Sequence, residues 1–543
     1  MEVIPVDLNN GNPLFNDYLA KTEKVREFFP RHYSEEGFEA LIEQIEKRRF
    51  NREALATELA ADNRRWGAPE PVMQNIQKLK ETRSFAVVTG QQAGLFSGPM
   101  YTIYKTLTAI KFAEKLAAQY PDSHFVPLFW MEVDDHDFEE IRRIHYFDKQ
   151  NQLRDFEIEE NEEENRKPVW LRKISEKLHR EQALFCDQFP QTEFRDEVVD
   201  LFFSCYQPGR GLADAFACLL QRLFGHFGLV VFNPSNPGFK KLAASVYEKA
   251  LRQQLEIHER FRKNNETLAR AGYPRQIKLL PEQTLLFMLD PESRRRRLDS
   301  AGDGYALRNG ADNLHFSRDE IYRRVKKSPE NFSPNVALRP IVQDTLIPTM
   351  AYVGGPSEIT YFAQIKPLYD VFDIPMPVMV PRHRLTLAEA RDLRVSAKLG
   401  LDLVQILRNP QKVREEFVRE KLNSAAHSPL EALRESVEAG LKEIQPLFTE
   451  TDPTLLKPLD KTAHTVKRAL QQLSDRYLRA VENKNATQMN QIESVLLHFF
   501  PGNAPQERVI NVCYYLVKYG PKFIEELYQI LPADSTRHFL VKF

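Results

Sequence analysis

Cysteine, glycine and long apolar runs are all scarce in this sequence of 543 residues. The four cysteines include no C-x-x-C pair, which argues against a disulfide framework and a cysteine-based zinc site. No stretch approaches 18 consecutive apolar residues, so we expect no membrane span. The first ten residues, MEVIPVDLNN, lack the apolar segment of a signal peptide. We therefore expect reduced thiols and a cytoplasmic location.

Excess charge of either sign is also lacking. The 75 basic and 76 acidic residues give a formal net charge of −1, so the whole molecule has no electrostatic attraction to nucleic acid or to an anionic membrane. Apolar residues make up 42% and charged residues 28%, which is ordinary for a globular protein and excludes a disordered or fibrous one. The length allows about two to four domains.

Short apolar runs that alternate with helical patterns predict an α/β fold. The runs SFAVVTG (84–90) and HFVPLFWMEV (124–133) have the character of buried strands, and a long helical pattern from Pro99 to about Tyr120 joins them. Strand, helix and strand in this order form a βαβ unit with parallel strands. Further strands are predicted at 228–233, 336–342 and 376–381. The pattern therefore predicts a Rossmann-like, doubly wound parallel sheet.

Changes of pattern divide the chain into three parts. Residues 1–390 are expected to form the α/β core, which is helical over about its first 80 residues and carries insertions near 145–210 and 273–330. We interpret the charged runs 159–164 and 294–297 in these insertions as solvated surface. Residues 391–500 are expected to be an α-helical coiled-coil domain, and residues 501–543 a C-terminal segment that docks on the core.

Heptad spacing is the basis for the coiled-coil prediction. An apolar stripe with spacings of 4 and 3 runs from Leu459 to Ala480, and a matching helix lies upstream from Leu430 to Ile444, with Pro446 and Pro453 near the turn. A lone two-helix hairpin of this length leaves much of its stripe in water. We therefore expect it to join two subunits in a homodimer, although the stripe could instead pack only within its own chain.

A glycine-rich segment follows the first predicted strand, where an open parallel sheet binds its ligands. Three glycines at a spacing of four lead into a helix start, where backbone amides favour an anion. The segment matches neither the Walker A nor the dinucleotide-binding fingerprint, and a plain structural turn is the alternative. The candidate binding residues here are Gly90, Gln91, Gln92, Gly94 and Gly98, with Tyr101 and Lys105 on the following helix.

An acidic cluster with one histidine follows the second predicted strand. Asp134, Asp135, His136 and Asp137 are the candidate catalytic residues. Crowded carboxylates would raise the pKa of His136 and of one aspartate, which suits acid–base chemistry. They could also hold a divalent cation, and an acidic helix N-cap is the plain structural alternative.

A third set of polar residues follows the fourth and last predicted strands. A Gly-Gly-Pro sequence here predicts a second glycine-lined helix start, for which a simply capped turn is the alternative. A cation after the last strand could bind an anionic substrate, unless it belongs to a surface linker. The candidate residues are Gln343, Asp344, Gly354, Gly355, Glu358, Tyr361 and Arg382.

Three long segments of these regions resemble one family. VTGQQAGLFSGPMYTIYK, PLFWMEVDDHDFEE and LRPIVQDTLIPTMAYVGGPSEITYFAQ, in this order, resemble BshC, the cysteine-adding enzyme of bacillithiol biosynthesis. The resemblance implies a class I synthetase-like Rossmann core with connective-peptide-like insertions, an α-helical coiled-coil domain and a homodimer. It also implies a ligase that forms a carbon–nitrogen bond. In this last step of the pathway, the carboxyl of L-cysteine joins the amine of glucosaminyl-malate as an amide.

The resemblance leaves the activation of the carboxyl open. The H-x-G-H and K-M-S-K-S signatures of class I adenylate-forming enzymes are absent, and the 90–98 and 134–137 segments stand in those regions. ATP with magnesium is the natural proposal for activation, and no zinc is expected. Two alternatives belong to other classes of protein. One is a sugar-nucleotide-dependent glycosyltransferase that uses Asp135-x-Asp137 to bind a metal, and the other is a catalytically silent coiled-coil scaffold.

Overall fold

Strands and helices alternate along most of the chain in the computed structural model, which describes residues 2–9, 11–34, 37–160, 164–308, 313–421, 427–532 and 536–543. The strands are β1 (Glu2–Val6), β2 (Ser84–Gln92), β3 (His124–Glu132), β4 (Arg143–Phe147), β5 (Leu153–Glu157), β6 (Val230–Phe232), β7 (Gln283–Leu289), β8 (Arg295–Ala301), β9 (Gly304–Leu307), β10 (Leu314–Ser317), β11 (Phe332–Pro334), β12 (Thr349–Gly354), β13 (Val378–Pro381), β14 (Arg384–Ala388) and β15 (His538–Lys542).

The helices are α1 (Pro13–Leu19), α2 (Glu39–Glu46), α3 (Arg52–Arg65), α4 (Glu70–Lys78), α5 (Met100–Gln119), α6 (Glu176–Arg180), α7 (Gln182–Gln188), α8 (Arg195–Cys205), α9 (Leu212–Phe224), α10 (Pro237–Arg252), α11 (Gln254–Arg270), α12 (Arg318–Lys327), α13 (Arg339–Leu346), α14 (Pro356–Phe372), α15 (Ala390–Leu399), α16 (Leu403–Arg408), α17 (Pro410–Glu416), α18 (His427–Thr451), α19 (Leu456–Lys484), α20 (Ala486–Phe499), α21 (Val512–Tyr519) and α22 (Phe523–Ile530). No helix of the described residues is long and apolar enough to cross a membrane.

A five-stranded parallel sheet forms the centre of the fold. Its strand order is β13-β12-β2-β3-β6, and every neighbouring pair is parallel. The chain fills the sheet outward from β2 in one direction through β3 and β6, and then in the other direction through β12 and β13. The sheet is therefore doubly wound, as predicted, and its order reverses between β2 and β12. This switch point is where such a sheet opens a crevice for ligands.

Four of the five predicted core strands are confirmed. The first seven residues of β2 are buried, and their apolar and β-branched side chains suit a strand covered on both faces. The long helix α5 follows β2 and is itself largely buried. Pro99 is the N-cap of this helix rather than a residue of its first turn.

The strand predicted at 336–342 is wrong. Residues Arg339–Leu346 form helix α13, and the fourth core strand is instead Thr349–Gly354. Pro340 explains the difference, because proline lacks the amide that a central strand needs but fits the first turn of a helix. Gln343 and Asp344 therefore lie on a helix before the strand, and not at the carboxyl end of a strand.

Antiparallel strands occupy parts of the two segments that interrupt the parallel sheet. Strands β4 and β5 form a hairpin, and a second sheet has the order β10-β9-β8-β7-β11. Arg295 and Arg296 on β8 are buried, so the prediction that the run 294–297 is solvated surface is wrong for these two. The acidic run 159–164 lies partly outside the described residues.

The chain divides into two compact units. The larger comprises residues 9–385 and 506–539, and the smaller comprises residues 1–8, 386–505 and 540–543. The larger unit contains the parallel sheet and a large apolar cluster that packs against it. Strands β1, β14 and β15 form a three-stranded sheet, although the sequence predicted no strand at either end of the chain.

A helical hairpin of α18 and α19 dominates the smaller unit. The turn between the helices is a short 3₁₀ segment, Pro453–Leu455, whereas Pro446 lies inside α18. Leu459 is buried on the predicted stripe of α19, but Leu473 is 52% exposed. Leu433 and Leu447 on α18 are also exposed. The two helices thus leave part of their apolar surface uncovered.

Candidate functional site

A cavity of about 670 Å³ lies at the carboxyl ends of β2, β3 and β12, at the switch point of the parallel sheet. The ends of β2 and β3, the loop after β3 and the first turn of α14 form much of its wall. Side chains from α5, α13 and β8 complete it. The cavity therefore occupies the position in which a doubly wound sheet binds its ligand.

The cavity brings together twelve of the eighteen residues predicted from the sequence. Those that line it are Gly90, Gln91, Gln92, Tyr101, Lys105, Asp134, Asp135, His136, Gly355, Glu358, Tyr361 and Arg382. Those that do not line it are Gly94, Gly98, Asp137, Gln343, Asp344 and Gly354.

Lys105 and Glu358 form a buried ion pair in the wall of the cavity. The Lys105 Nζ lies 2.5 Å from Glu358 Oε2 and also donates to Gly90 O and Gln91 Oε1, each at 2.9 Å. An ammonium group has three N–H bonds, so these acceptors use them all. Burial lowers the pKa of Lys105, and the Glu358 carboxylate opposes that shift. Lys105 thus fixes the end of β2 against the start of α14.

Glu358 links strand β12 to helix α14. Its carboxylate accepts the Gly355 N–H at 2.7 Å and the Tyr352 hydroxyl at 2.8 Å. Burial alone would raise the pKa of Glu358, but Lys105 and these two donors outweigh burial and lower it. The carboxylate therefore stays ionised at the N-terminus of α14, where the helix dipole also favours negative charge.

Glu132 and Arg339 form a second ion pair. The Arg339 Nε lies 2.9 Å from Glu132 Oε1, and the same guanidinium donates to Gln343 Oε1 and to the Tyr361 hydroxyl. Burial raises the pKa of Glu132 to about 7, with Arg339 opposing the rise and Asp134 adding to it. Glu132 is therefore a carboxyl group that changes its protonation near neutral pH inside the cavity.

Two aspartates after β3 each have a cationic partner from another part of the fold. Asp134 Oδ2 lies 2.7 Å from Lys240 Nζ on α10, and Asp135 Oδ1 lies 3.2 Å from Arg295 Nη1 on β8. Burial would raise the pKa of Asp135, but hydrogen bonds with His136 and the charge of Arg295 lower it to about 2. The expectation that crowding raises the pKa of an aspartate is wrong for Asp135. The carboxyl group whose pKa is raised is that of Glu132.

His136 lies at the cavity with about a third of its side chain exposed. Its Nδ1 is buried and faces Asp135 Oδ1 at 3.4 Å. A ligand in the cavity can therefore reach only the exposed part of the imidazole. Asp137, in contrast, does not line the cavity. Its side chain accepts the backbone N–H of Glu140 at 3.4 Å.

The glycine-rich segment is closed rather than open to a ligand. The amides of Gly94, Leu95 and Gly98 donate to the carbonyl oxygens of Gln92, Ile141 and Leu95, each at 2.8 Å. The Met100 amide at the start of α5 donates to Ile510 O. The predicted cradle of bare amides is therefore wrong for these four positions, because the loop folds into a 3₁₀ turn (Leu95–Ser97) and contacts neighbouring backbone.

Gly90 lies near the end of β2, where a side chain would crowd the neighbouring strand. A Cβ atom placed there would lie 3.0 Å from the carbonyl oxygen of Trp130 on β3. The residue therefore allows close approach of two neighbouring strands at the floor of the cavity.

Arg382 lines the cavity, but a carboxylate of the protein already binds its guanidinium. Its Nη1 and Nη2 donate to the two oxygens of Glu507 at 3.0 and 2.7 Å, and both residues are buried. This bidentate pair satisfies the planar fork that a substrate carboxylate would otherwise use. Arg508 is the exposed cation of the cavity wall, and no ion pair joins it to a described residue.

The donors of the cavity fit a phosphate better than a metal ion. The first turn of α14 lines the cavity, and a helix N-terminus favours an anion. The Gly355 amide already donates to Glu358, so Ser357 is the residue of this turn that would contact a phosphate. The 94–100 segment does not fit one, since its amides have protein acceptors. Asp134 and Asp135 do not fit magnesium, because Lys240 and Arg295 already neutralise them.

Outside the cavity, one group of described residues has donor atoms close enough to share a metal ion. Glu389, Asp392 and His498 belong to the smaller unit and do not line the cavity. The Asp392 carboxylate already accepts a hydrogen bond from the backbone N–H of Glu389 and forms another with His498. It therefore has a structural role.

The cavity also contains functional candidates that the sequence analysis missed. Glu132 ends β3 immediately before the acidic cluster, so its position at a strand terminus could have indicated it. The sequence analysis missed Arg339 because it placed residues 336–342 in a strand. Pro340 was the residue that indicated the start of a helix instead. Arg295 comes from a separate antiparallel sheet, and no local pattern connects it with Asp135.

Comparisons with known proteins cover the whole chain. Residues 1–383 match the family model "Bacillithiol biosynthesis BshC, N-terminal Rossmann-like domain", and residues 385–543 match "Bacillithiol biosynthesis BshC, C-terminal coiled-coil domain". A protein of Chlorobaculum tepidum is 32% identical over 97% of this chain and 96% of its own. One of Salinibacter ruber is 32% identical over 99% and 97%, and one of Anoxybacillus flavithermus is 29% identical over 98% of each. All three bear the name "Putative cysteine ligase BshC".

A solved structure titled as an arginyl-tRNA synthetase of Campylobacter jejuni aligns with 89% of this chain and 99% of its own. The sequence identity is 8% and the TM-score 0.23, so this similarity carries no weight for the fold or the activity.

Proposed function

This chain belongs to the BshC family of bacillithiol biosynthesis, and we propose that it is the ligase of the last step, which joins L-cysteine to glucosaminyl-malate. The bond formed is an amide between the cysteine carboxyl and the sugar amine. The observation that carries the proposal is the charge distribution in the switch-point cavity. Its wall holds five basic side chains, Lys105, Arg295, Arg339, Arg382 and Arg508, and five acidic ones, Glu132, Asp134, Asp135, Glu140 and Glu358.

A wall with both signs of charge suits these two substrates. Free cysteine carries an ammonium and a carboxylate, and glucosaminyl-malate carries an ammonium and two carboxylates. We assign Arg508 to a malyl carboxylate, because it is exposed at the cavity and has no ion-pair partner among the described residues. Arg295, Arg339 and Arg382 already bind protein carboxylates and would position those carboxylates instead.

Amide formation requires the attacking amine to lose a proton. Glu132 is the proposed acceptor, since burial raises its pKa to about 7 and it lies in the cavity wall. His136 is the second acid–base group of the proposal, because its imidazole lines the cavity and is partly exposed there, with Asp135 beside its Nδ1. Asp135 would hold His136 by accepting the backbone N–H of that residue at 2.7 Å.

A free carboxylate does not acylate an amine usefully in water, so the cysteine carboxyl needs activation. ATP would supply a good leaving group when bound. The first turn of α14 is the part of the wall that would hold a phosphate, through Ser357, because the Gly355 amide already donates to Glu358. The residues of this chain then orient the two substrates and manage the protons of the amine.

A homodimer formed through the helical hairpin completes the proposal. In the described part of the chain, three of the seven large apolar side chains that are exposed lie on this hairpin, namely Leu433, Leu447 and Leu473. An apolar stripe left in water on a two-helix hairpin favours association with a second copy.

The test is a ligation assay with purified protein, L-cysteine and glucosaminyl-malate, with and without ATP. We expect a new thiol with the mass of the amide, and its dependence on ATP identifies the activating group. A matched assay of His136→Ala controls for contaminating ligases. Absence of product under both conditions, with turnover of a nucleotide sugar, would instead favour a glycosyltransferase. A glycosyltransferase of that kind would need Asp135 and Asp137 to bind one metal ion. Asp135 lines the cavity and Asp137 does not, which argues against this alternative.

A further inference from the structure

Two of the four cysteines lie side by side in the larger unit. Cys205 is the last residue of α8, Cys218 lies in the middle of α9, and their sulfur atoms are 2.7 Å apart. Both are free thiols in the structure. A disulfide bond has a length of about 2.05 Å, so a shift of less than about 1 Å would bring the two sulfurs to bonding distance.

We propose that Cys205 and Cys218 are a reversible oxidation site, in which a hydroperoxide converts the two thiols into an intramolecular disulfide that ties α8 to α9. This site is separate from the switch-point cavity, and the proposal does not depend on the ligase activity.

The surroundings favour a thiolate at Cys218. The thiol of Cys205 hydrogen-bonds to Cys218 and lowers its pKa, against the opposing effect of burial, and the charges of Arg210 and Arg222 lower it further. The same hydrogen bond raises the pKa of Cys205. Cys218 is also 7% exposed whereas Cys205 is completely buried, so a small oxidant meets Cys218 first. Thiolate character and access are what select a cysteine for oxidation.

The other two cysteines lack the lowered pKa of Cys218 and a neighbouring thiol, although Cys186 is more exposed than Cys218. Burial raises the pKa of the Cys186 thiol, and a hydrogen bond with Asp196 raises it further. Burial also raises the pKa of Cys513, which is 1% exposed. Neither is within hydrogen-bond distance of another cysteine in the described chain. Selective oxidation of the 205–218 pair is therefore expected.

The chemistry balances with a hydroperoxide as the only added reactant. The Cys218 thiolate attacks the terminal oxygen, the O–O bond breaks, and Cys218 becomes a sulfenic acid as an alcohol or water leaves. The Cys205 sulfur then attacks the Cys218 sulfur, the S–S bond forms, and the S–O bond breaks. The Cys205 proton leaves with the hydroxyl as water. Two thiols thus give two electrons to the peroxide, and two equivalents of a small thiol reverse the process.

The pair lies directly behind the glycine-rich segment that follows β2. The ring of Phe96 packs against Phe202, Phe203 and Tyr206, with centroid distances of 5.2, 5.3 and 4.9 Å. The Tyr206 hydroxyl, next in sequence to Cys205, donates to Gly94 O at 3.3 Å. A bond between α8 and α9 would therefore restrain the packing that holds Phe96, and the 92–99 segment should open less often.

The first test counts thiols after peroxide treatment of the full-length protein. Alkylation under denaturing conditions should label four cysteines in the reduced protein and two after mild oxidation, and a reductant should restore four. Peptide mapping should then find residues 205 and 218 joined. Oxidation of Cys186 or Cys513 while Cys205 and Cys218 remain alkylatable would overturn the proposal.

Serine variants supply the controls. Cys218→Ser should keep three labelled thiols after the same treatment. Cys205→Ser should instead stop at the Cys218 sulfenic acid and fall from three labelled thiols to two without forming a disulfide, whereas the matched Cys186→Ser should fall from three to one. If a variant does not fold, peptide mapping of the wild-type protein still decides the question. Hydrogen exchange of the 92–99 peptide tests the link to the loop. Slower exchange in the oxidised wild type, but not in peroxide-treated Cys218→Ser, supports it, and equal exchange refutes it.

Discussion

Lys105 tests whether the basic side chains of the cavity bind substrate or build the wall. All three of its N–H bonds have protein acceptors, on Glu358, Gly90 and Gln91. We therefore predict that Lys105→Met chiefly destabilises the larger unit. Removal of one partner from a buried ion pair costs about 3–5 kcal/mol. Glu358 keeps the donors from Gly355 and Tyr352, so we expect the lower end, about 3 kcal/mol.

Urea unfolding followed by tryptophan fluorescence measures this loss. The three tryptophans, Trp66, Trp130 and Trp170, all lie in the larger unit and report on its unfolding. Lys115→Met on the same helix is the matched control, because Lys115 is exposed and should change the free energy of unfolding by less than about 0.5 kcal/mol.

A second substitution and a pH series sharpen the result. Adding Glu358→Gln to Lys105→Met removes the uncompensated charge, so the double variant should recover about 1 kcal/mol or more of the loss. The folded-state pKa of Glu358 is lowered, so its contribution is present above the ordinary value of 4.5 and is lost as the pH falls below it. The deficit of Lys105→Met should therefore shrink in acid. Wild-type stability combined with weakened substrate binding would show that Lys105 is a ligand group.

Three further predictions concern the proposed chemistry and assembly. His136→Ala should reduce ligation at least about a hundredfold while the fold survives, and a fully active variant would exclude the acid–base role. For Glu132, with a pKa of about 7, the wild-type kcat/KM should rise with pH through that value, because the proton acceptor must be ionised. Glu132→Gln should be slower and should lose this rise, and an unchanged pH profile would refute the assignment. Leu470→Asp with Leu473→Asp places two charges on the exposed stripe of α19 and should give monomers in light scattering, whereas a folded dimer would place the subunit contact elsewhere.

Local sequence was sufficient to predict four of the five strands of the parallel sheet, because each of these is a short apolar run with a helical pattern beside it. Strands β2 and β3 could be recognised in this way, and their carboxyl ends predicted two walls of the cavity. The same reasoning failed at 336–342. An apolar run of that length is ambiguous between a strand and a buried helix, and only Pro340 indicated the helix.

The sequence by itself determined which segments meet at the switch point, since parallel strands bring their carboxyl ends to one edge whatever their side chains do. Only the tertiary structure decided the state of each charged group there. Hydrogen bonds with His136 and the charge of Arg295, which lies in a separate sheet, together lower the pKa of Asp135. Burial outweighs Arg339 and raises the pKa of Glu132 to about 7. The amides of the glycine-rich segment have partners as distant in sequence as Ile510. Charge and hydrogen bonding depend on distance in space, and a local sequence pattern does not contain those distances.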